Sequence, residues 1–141
     1  MRVSALPRVL FVCIENACRS QMAAGFARMH GANRVEPHCA GSKPAAAVNP
    51  RAIAFMAERG CDISMQRPLP LSAFADQSFD AVVTMGCGDA CPWLPARIRA
   101  DWALPDPKHL SDDEFRSIRD EIEQRIRQLL PTLSAQGAEH P

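Results

Sequence analysis

The chain has 141 residues and a mass of 15.5 kDa, the length of one domain large enough to bury a core. Sixteen basic and sixteen acidic side chains cancel, and 47% of the residues are hydrophobic, an ordinary globular share. That balance excludes a broad basic field for nucleic acid or an anionic membrane, and no apolar run approaches the roughly 20 residues that span a bilayer.

Met1 to Pro7 lacks the charged-then-apolar layout of a signal peptide, so a cytoplasmic location is expected. There, six cysteines read as thiols rather than as a disulfide framework. No feature of the composition asks for a second subunit, and a monomer is expected.

In chain order, strands and helices alternate. Arg8–Val12 reads as a buried strand. Ser20–His30 follows with Met22, Ala23, Phe26 and Met29 at helical spacing, and Gly31 is a stop. Arg34–Ala40 is a second strand, ended by Gly41-Ser42. Asn49 caps the next helix, Pro50 suits its first position and Gly60 closes it, with Ile53, Phe55, Met56 and Ala57 as the inner face. Leu71–Phe74 reads as a short helical turn. Phe79–Met85 is a strongly apolar strand and Arg97–Trp102 a shorter, more polar one.

Ser111 starts the last helix, with Glu114 completing a capping box. Phe115, Ile118, Ile122, Ile126 and Leu129-Leu130 carry its apolar stripe. Pro131 is expected to end it and Ala135–Pro141 to form a loose tail. Neither a repeat nor an internal linker divides the chain, so residues 1–141 read as a single domain with a core over about 8–131. Strands joined by helices imply right-handed crossovers and a mainly parallel sheet, with ligands at the carboxyl ends of its strands.

One short segment concentrates the chemistry. Cys13-Ile14-Glu15-Asn16-Ala17-Cys18-Arg19-Ser20 links the first strand to the first helix. A strand-loop-helix turn of this kind aims backbone N–H groups and the positive end of a helix dipole at one point. An oxyanion there meets those groups and the planar fork of Arg19. The same field favours the thiolate of Cys13, so nucleophile and anion cradle come from one loop.

With Asn16 inside it and Gln21-Met22-Ala23 after it, Cys13-x5-Arg19-Ser20 resembles the phosphate loop of the low-molecular-weight protein tyrosine phosphatases. It is closest in pattern to their relatives, the thiol-coupled arsenate reductases. The likeness runs from about Arg8 to Leu130. It implies an α/β three-layer sandwich with a four-stranded parallel sheet flanked by helices, and an oxyanion bound by the residues from Cys13 to Ser20. Arsenate is then the substrate, thioredoxin or another thiol the reductant, and no metal or organic cofactor is implied.

Two further segments take roles from that resemblance. Asp106-Pro107 matches the pair that supplies the general acid on the loop after the fourth strand, where a departing oxygen must gain a proton. Read from its residues alone, Asp106 is equally a turn former ahead of the last helix, and Asp101 is the weaker acid candidate. In Thr84-Met85-Gly86-Cys87-Gly88-Asp89-Ala90-Cys91-Pro92, Cys87 matches the resolving cysteine and Cys91 the final one of a disulfide relay. A zinc pair at Cys87 and Cys91 is the competing reading, weakened by the scatter of His30, His38 and His109. Cys18 is expected beneath the loop, with a reserve role as a rescue thiol, and Cys39 and Cys61 as small buried hydrophobes.

The chain departs from the phosphatase pattern in two places. Glu15 stands where glycine is usual and would repel an anion unless it faces outward, exposed and paired with an arginine. Lys108-His109 follow Asp106-Pro107, and the chain has no tyrosine, so aromatic side chains to sandwich a phenol ring are lacking. A small inorganic oxyanion suits the site better than phosphotyrosine. The leading expectation is a cytoplasmic arsenate reductase regenerated by thioredoxin. The alternatives are a phosphatase acting on phosphate monoesters, a non-catalytic oxyanion or redox sensor, and a reductase served by glutathione, glutaredoxin or another thiol.

Overall fold

A computed structural model of the protein describes residues 6–86 and 94–138. Strand β1 (Arg8–Cys13) pairs in parallel with β2 (Glu36–Gly41) on one side and β3 (Ala81–Thr84) on the other, and β4 (Ile98–Asp101) extends the sheet beyond β3. The order is β2-β1-β3-β4, all parallel. Pro37 lies in β2 without penalty because that strand is the edge of the sheet, met on its outer side only by the isolated bridge from Gly41 to Pro70.

Successive residues of a strand face opposite sides of the sheet. Val9 and Phe11 therefore join the main core with α1 (Arg19–Gly31), α2 (Pro50–Ala57) and α3 (Asp112–Ala138). Leu10 and Val12 join a smaller cluster with Val82 and Phe74. A strand covered on both faces reads as an unbroken apolar run, which is why Val9 to Val12 shows no polar alternation. The second face is covered among the described residues by the 3-10 turn Leu71–Phe74 with Phe79, Leu94 and Ala96.

The helices begin where the caps stand. Asn49 Oδ1 accepts from Arg51 N at 2.8 Å ahead of Pro50. Ser111 Oγ accepts from Glu114 N at 3.2 Å while Glu114 Oε1 accepts from Ser111 N at 3.1 Å, the reciprocal capping box. Two expectations need correction. The inner face of α2 is Ala52, Phe55 and Met56, with Ile53 half-buried against the same core as expected, whereas Ala57, in the last turn, is exposed. Pro131 does not end α3, which continues to Ala138, so residues 135–138 are helical rather than loose. An interior proline costs about 3 kcal/mol or more. Here Leu133 is 1% exposed in the main core, and Thr132 Oγ1 donates to Leu129 O at 2.6 Å, so packing beyond the proline offsets the lost backbone bond.

The chain leaves β1 through α1 to reach β2 on one side, and β3 then lands on the other side of β1. That reversal opens a crevice beyond the carboxyl ends of β1 and β3. Cys13 ends β1 and Met85-Gly86 follow β3, so both segments meet there. If the last turns of α3 depend on Leu133, Leu133→Ala should lower the unfolding free energy by about 2–5 kcal/mol in urea titrations. An unchanged midpoint would show that the helix past Pro131 contributes nothing to stability.

Candidate functional site

The loop from Cys13 to Cys18 folds over the start of α1, and its shape depends on Asn16. That residue is fully buried with φ +53°, the left-handed region that asparagine tolerates better than most side chains. Its Oδ1 accepts from Leu69 N at 2.9 Å and from Gln21 Nε2 at 3.1 Å. A backbone N–H only donates, so the oxygen must face Leu69 and Nδ2 must face Ser20, to whose Oγ it donates at 2.5 Å. The Ser20 hydroxyl then has its proton free for Cys13 Sγ, 2.9 Å away. Asn16 N adds a second donor to the same sulfur at 3.2 Å. Two donors thus converge on one sulfur.

Arg19 is buried, and its Nη1 donates to Met85 O at 2.6 Å and Leu104 O at 2.8 Å. Its Nη2 lies 4.0 Å from Asp106 Oδ2. Asp106 forms the turn and also lines the cavity. Oδ1 accepts from Lys108 N at 3.1 Å and caps the turn Pro107–His109, while Oδ2 faces Arg19. Asp101 is occupied elsewhere: its Oδ1 accepts from Thr84 Oγ1 at 2.7 Å and Gly86 N at 3.1 Å, tying the ends of β3 and β4 together. Cys13, Glu15, Ala17, Cys18, Arg19 and Asp106 line a narrow cavity of about 10 Å³. A thiol, a guanidinium and a carboxyl group converging on so small a space are the groups needed to bind an oxyanion, attack it and protonate a departing oxygen.

The other thiols differ. Burial pushes Cys18 up to about 12, helped by the nearby Asp106 carboxylate, so it is a protonated wall of the cavity. Burial likewise pushes Cys39 up to about 11 and raises Cys61. Cys87 and Cys91 lie outside the described residues. Among the described residues, no three His, Cys, Asp or Glu side chains gather as a metal site.

Glu15 is corrected on both counts. It is half-buried, and its partner is Lys108, with Oε2 2.7 Å from Nζ. The lysine reaches it because the turn capped by Asp106 folds back toward the loop. From the sequence, Gly41 is only a strand stop. In the structure a Cβ on it would sit 2.6 Å from Ile14 O and 2.9 Å from Asn16 N, so the loop rests directly on its backbone. A glycine ending a strand that neighbours the Cys13 strand was the available signal. For Lys108 it was an unmatched carboxylate beside an anion site.

A family model described as low molecular weight phosphotyrosine protein phosphatase matches residues 8–139. The glutaredoxin arsenate reductase of Synechocystis is 39% identical over 132 residues, which cover 92% of this chain and all of that one. The chain belongs to the arsenate reductase branch of this phosphatase family. A solved arsenate reductase in a phosphate binding state superposes with a TM-score of 0.84 at 37% identity, covering 92% of this chain and all of that chain. The thioredoxin-dependent arsenate reductase of Corynebacterium glutamicum gives 0.81 at 37% identity, covering 96% of this chain and 65% of that one. The four-stranded parallel sheet with its helices is thus the fold of the family.

Iodoacetate at neutral pH, followed by peptide mass spectrometry, should label Cys13 and leave Cys18 and Cys39 unmodified. A hydrogen bond to a charged group is worth about 1.5–3 kcal/mol, so Ser20→Ala should slow labelling of Cys13 roughly ten- to a hundredfold. Equal labelling of Cys18 would contradict the environment described for it.

Proposed function

We propose that the protein reduces arsenate to arsenite, with Cys13 as nucleophile, Arg19 and the loop amides as the oxyanion cradle and Asp106 as general acid. The observation that carries this reading is the convergence of Cys13 Sγ, Arg19 and Asp106 on one small cavity, with Ser20 and Asn16 donating to the sulfur. The relatives named above are arsenate reductases, which favours arsenic over phosphorus as the element attacked.

In the first step the Cys13 thiolate forms a bond to arsenic, and one arsenate oxygen leaves as water with the proton of Asp106. Arsenic is still pentavalent in this adduct. The Cys87 thiolate then attacks Cys13 Sγ. A sulfur–sulfur bond forms, the sulfur–arsenic bond breaks, and its electron pair stays on arsenic, which departs as arsenite. Cys91 next attacks Cys87, releasing the Cys13 thiolate and leaving a Cys87–Cys91 disulfide. A dithiol protein returns two electrons and two protons to that disulfide. Thioredoxin is the proposed partner, in line with the Corynebacterium glutamicum relative, and glutaredoxin is the competing one, in line with that of Synechocystis. Reaction in the cytoplasm suits a relay that needs such reductants.

Arsenate-dependent NADPH oxidation should be measured with the thioredoxin system and separately with the glutaredoxin system. Turnover with thioredoxin, abolished by Cys13→Ser, Cys87→Ser and Cys91→Ser, is expected. Asp106→Asn should lose about 10²–10⁴-fold in kcat, the usual contribution of a positioned general acid. Turnover that survives Cys91→Ser and uses glutathione with glutaredoxin would replace the relay with a small-thiol route. Aryl phosphate hydrolysis without arsenate turnover would identify a phosphatase. A single stoichiometric oxidation that stops despite reductant would identify a sensor.

A further inference from the structure

The helix that follows the Cys13 loop buries an amide to which the reaction assigns no part. Gln21, in the first turn of α1, is fully buried. Its Nε2 donates to Asn16 O at 2.9 Å, Asn16 Oδ1 at 3.1 Å and Arg67 O at 3.0 Å, and its Oε1 accepts from Gln66 Nε2 at 2.6 Å. A buried polar group is costly unless it is bonded, and both ends of this one are. Gln21 does not line the Cys13 cavity.

An amide fits the same space either way round, and here two backbone carbonyls decide between the orientations. Asn16 O and Arg67 O can only accept, so the nitrogen of Gln21 faces them and its oxygen faces Gln66. With that nitrogen fixed, Asn16 Oδ1 has two donors on it, Gln21 Nε2 and Leu69 N. Turning the Asn16 amide over would set Nδ2 against both donors and withdraw it from Ser20. In the observed orientation Nδ2 donates to Ser20 Oγ at 2.5 Å, which leaves the hydroxyl proton for Cys13 Sγ at 2.9 Å. The direction of each bond is passed from Gln66 through Gln21, Asn16 and Ser20 to the sulfur.

We propose that Gln21 is a positioning residue for the reaction, holding the Asn16 amide in the orientation that keeps the Ser20 proton on the Cys13 sulfur. This rests on the reading of Cys13 as nucleophile. It ties the reactivity of the Cys13 loop to the segment from Gln66 to Leu69, which supplies Arg67 O, Gln66 Nε2 and Leu69 N to the same network.

Alkylation of Cys13 by iodoacetamide, a reagent without a charge for Arg19 to attract, reads that hydrogen bond without any redox step. Rates are followed by peptide mass spectrometry at neutral pH in the wild type, Gln21→Met, Ser20→Ala and the double variant. Methionine fills the space of glutamine without its donors. Gln21→Met should slow labelling about fivefold, the scale of one neutral hydrogen bond. When Ser20 is already alanine, it should change the rate by less than about twofold, because residues acting through one network are not additive. Gln66→Ala, which removes the donor to Gln21 Oε1 from a half-buried site, should slow labelling in the same Ser20-dependent way and decides the matter if Gln21→Met does not fold. A merely structural role would change the rate by the same factor in both backgrounds. That result, or an unchanged rate where Ser20 is present, would overturn the positioning role alone, provided that Cys13→Ser abolishes arsenate turnover. Turnover that survives Cys13→Ser would overturn the nucleophile reading and the positioning role with it.

Discussion

Everything at the site depends on one buried cation. Arg19 follows the loop after β1, and its Nη1 grips carbonyls from the segments after β3 and β4, at Met85 and Leu104. Burying a charge is costly unless it is hydrogen-bonded and paired. The two carbonyls and the Asp106 carboxylate meet that demand, so three strand ends are drawn around the Cys13 loop. Gly86 is part of the same constraint. Its φ of +83° turns the chain out of β3, and a Cβ there would lie 3.1 Å from Leu104 O and 3.4 Å from Arg19 Nη1.

Beneath the cation, a second set of contacts sets the shape of the loop. Asn16 spends every polar atom of its side chain inward, on Leu69, Gln21 and Ser20. Gln21 extends the set, donating to Arg67 O at 3.0 Å and accepting from Gln66 Nε2 at 2.6 Å. The loop is therefore held by the segment from Gln66 to Leu69 on one side and by the Gly41 backbone on the other. Preorganised donors of this kind need no rearrangement when charge arrives, which is where most electrostatic stabilisation in active sites originates.

The same fold sorts its thiols by environment. Cys13 ends β1 with two donors on its sulfur, whereas Cys18, five residues on and just before α1, is pushed up to about 12 by its burial and by Asp106. Thiolate character decides which cysteine reacts. A loop with two cysteines so placed offers one thiol with donors on its sulfur and one packing residue. Cys39 and Cys61 behave as the latter, small apolar groups within the core.

Much of this was legible in the sequence because it is local. The buried run Val9 to Val12, the stripe of α3 from Phe115 to Leu130, the caps at Asn49 and Ser111 and the left-handed angle at Asn16 each follow from residues within a turn or two of one another. The Cys13-x5-Arg19 cradle is local in the same sense, since strand, loop and helix start are contiguous. What the tertiary structure alone decided are pairings across the chain. Glu15 met Lys108 rather than an arginine, 93 residues away, because the Asp106 turn folds back over the loop. Asp101 went to Gly86 and Thr84 because β4 lies beside β3. Pro131 failed to stop α3 because Leu133 had a place in a core built by other elements. Periodicity and turn chemistry act over a few residues, so a sequence can state them. The partner of a charge, or the worth of a helix turn beyond a proline, depends on which distant surface arrives beside it.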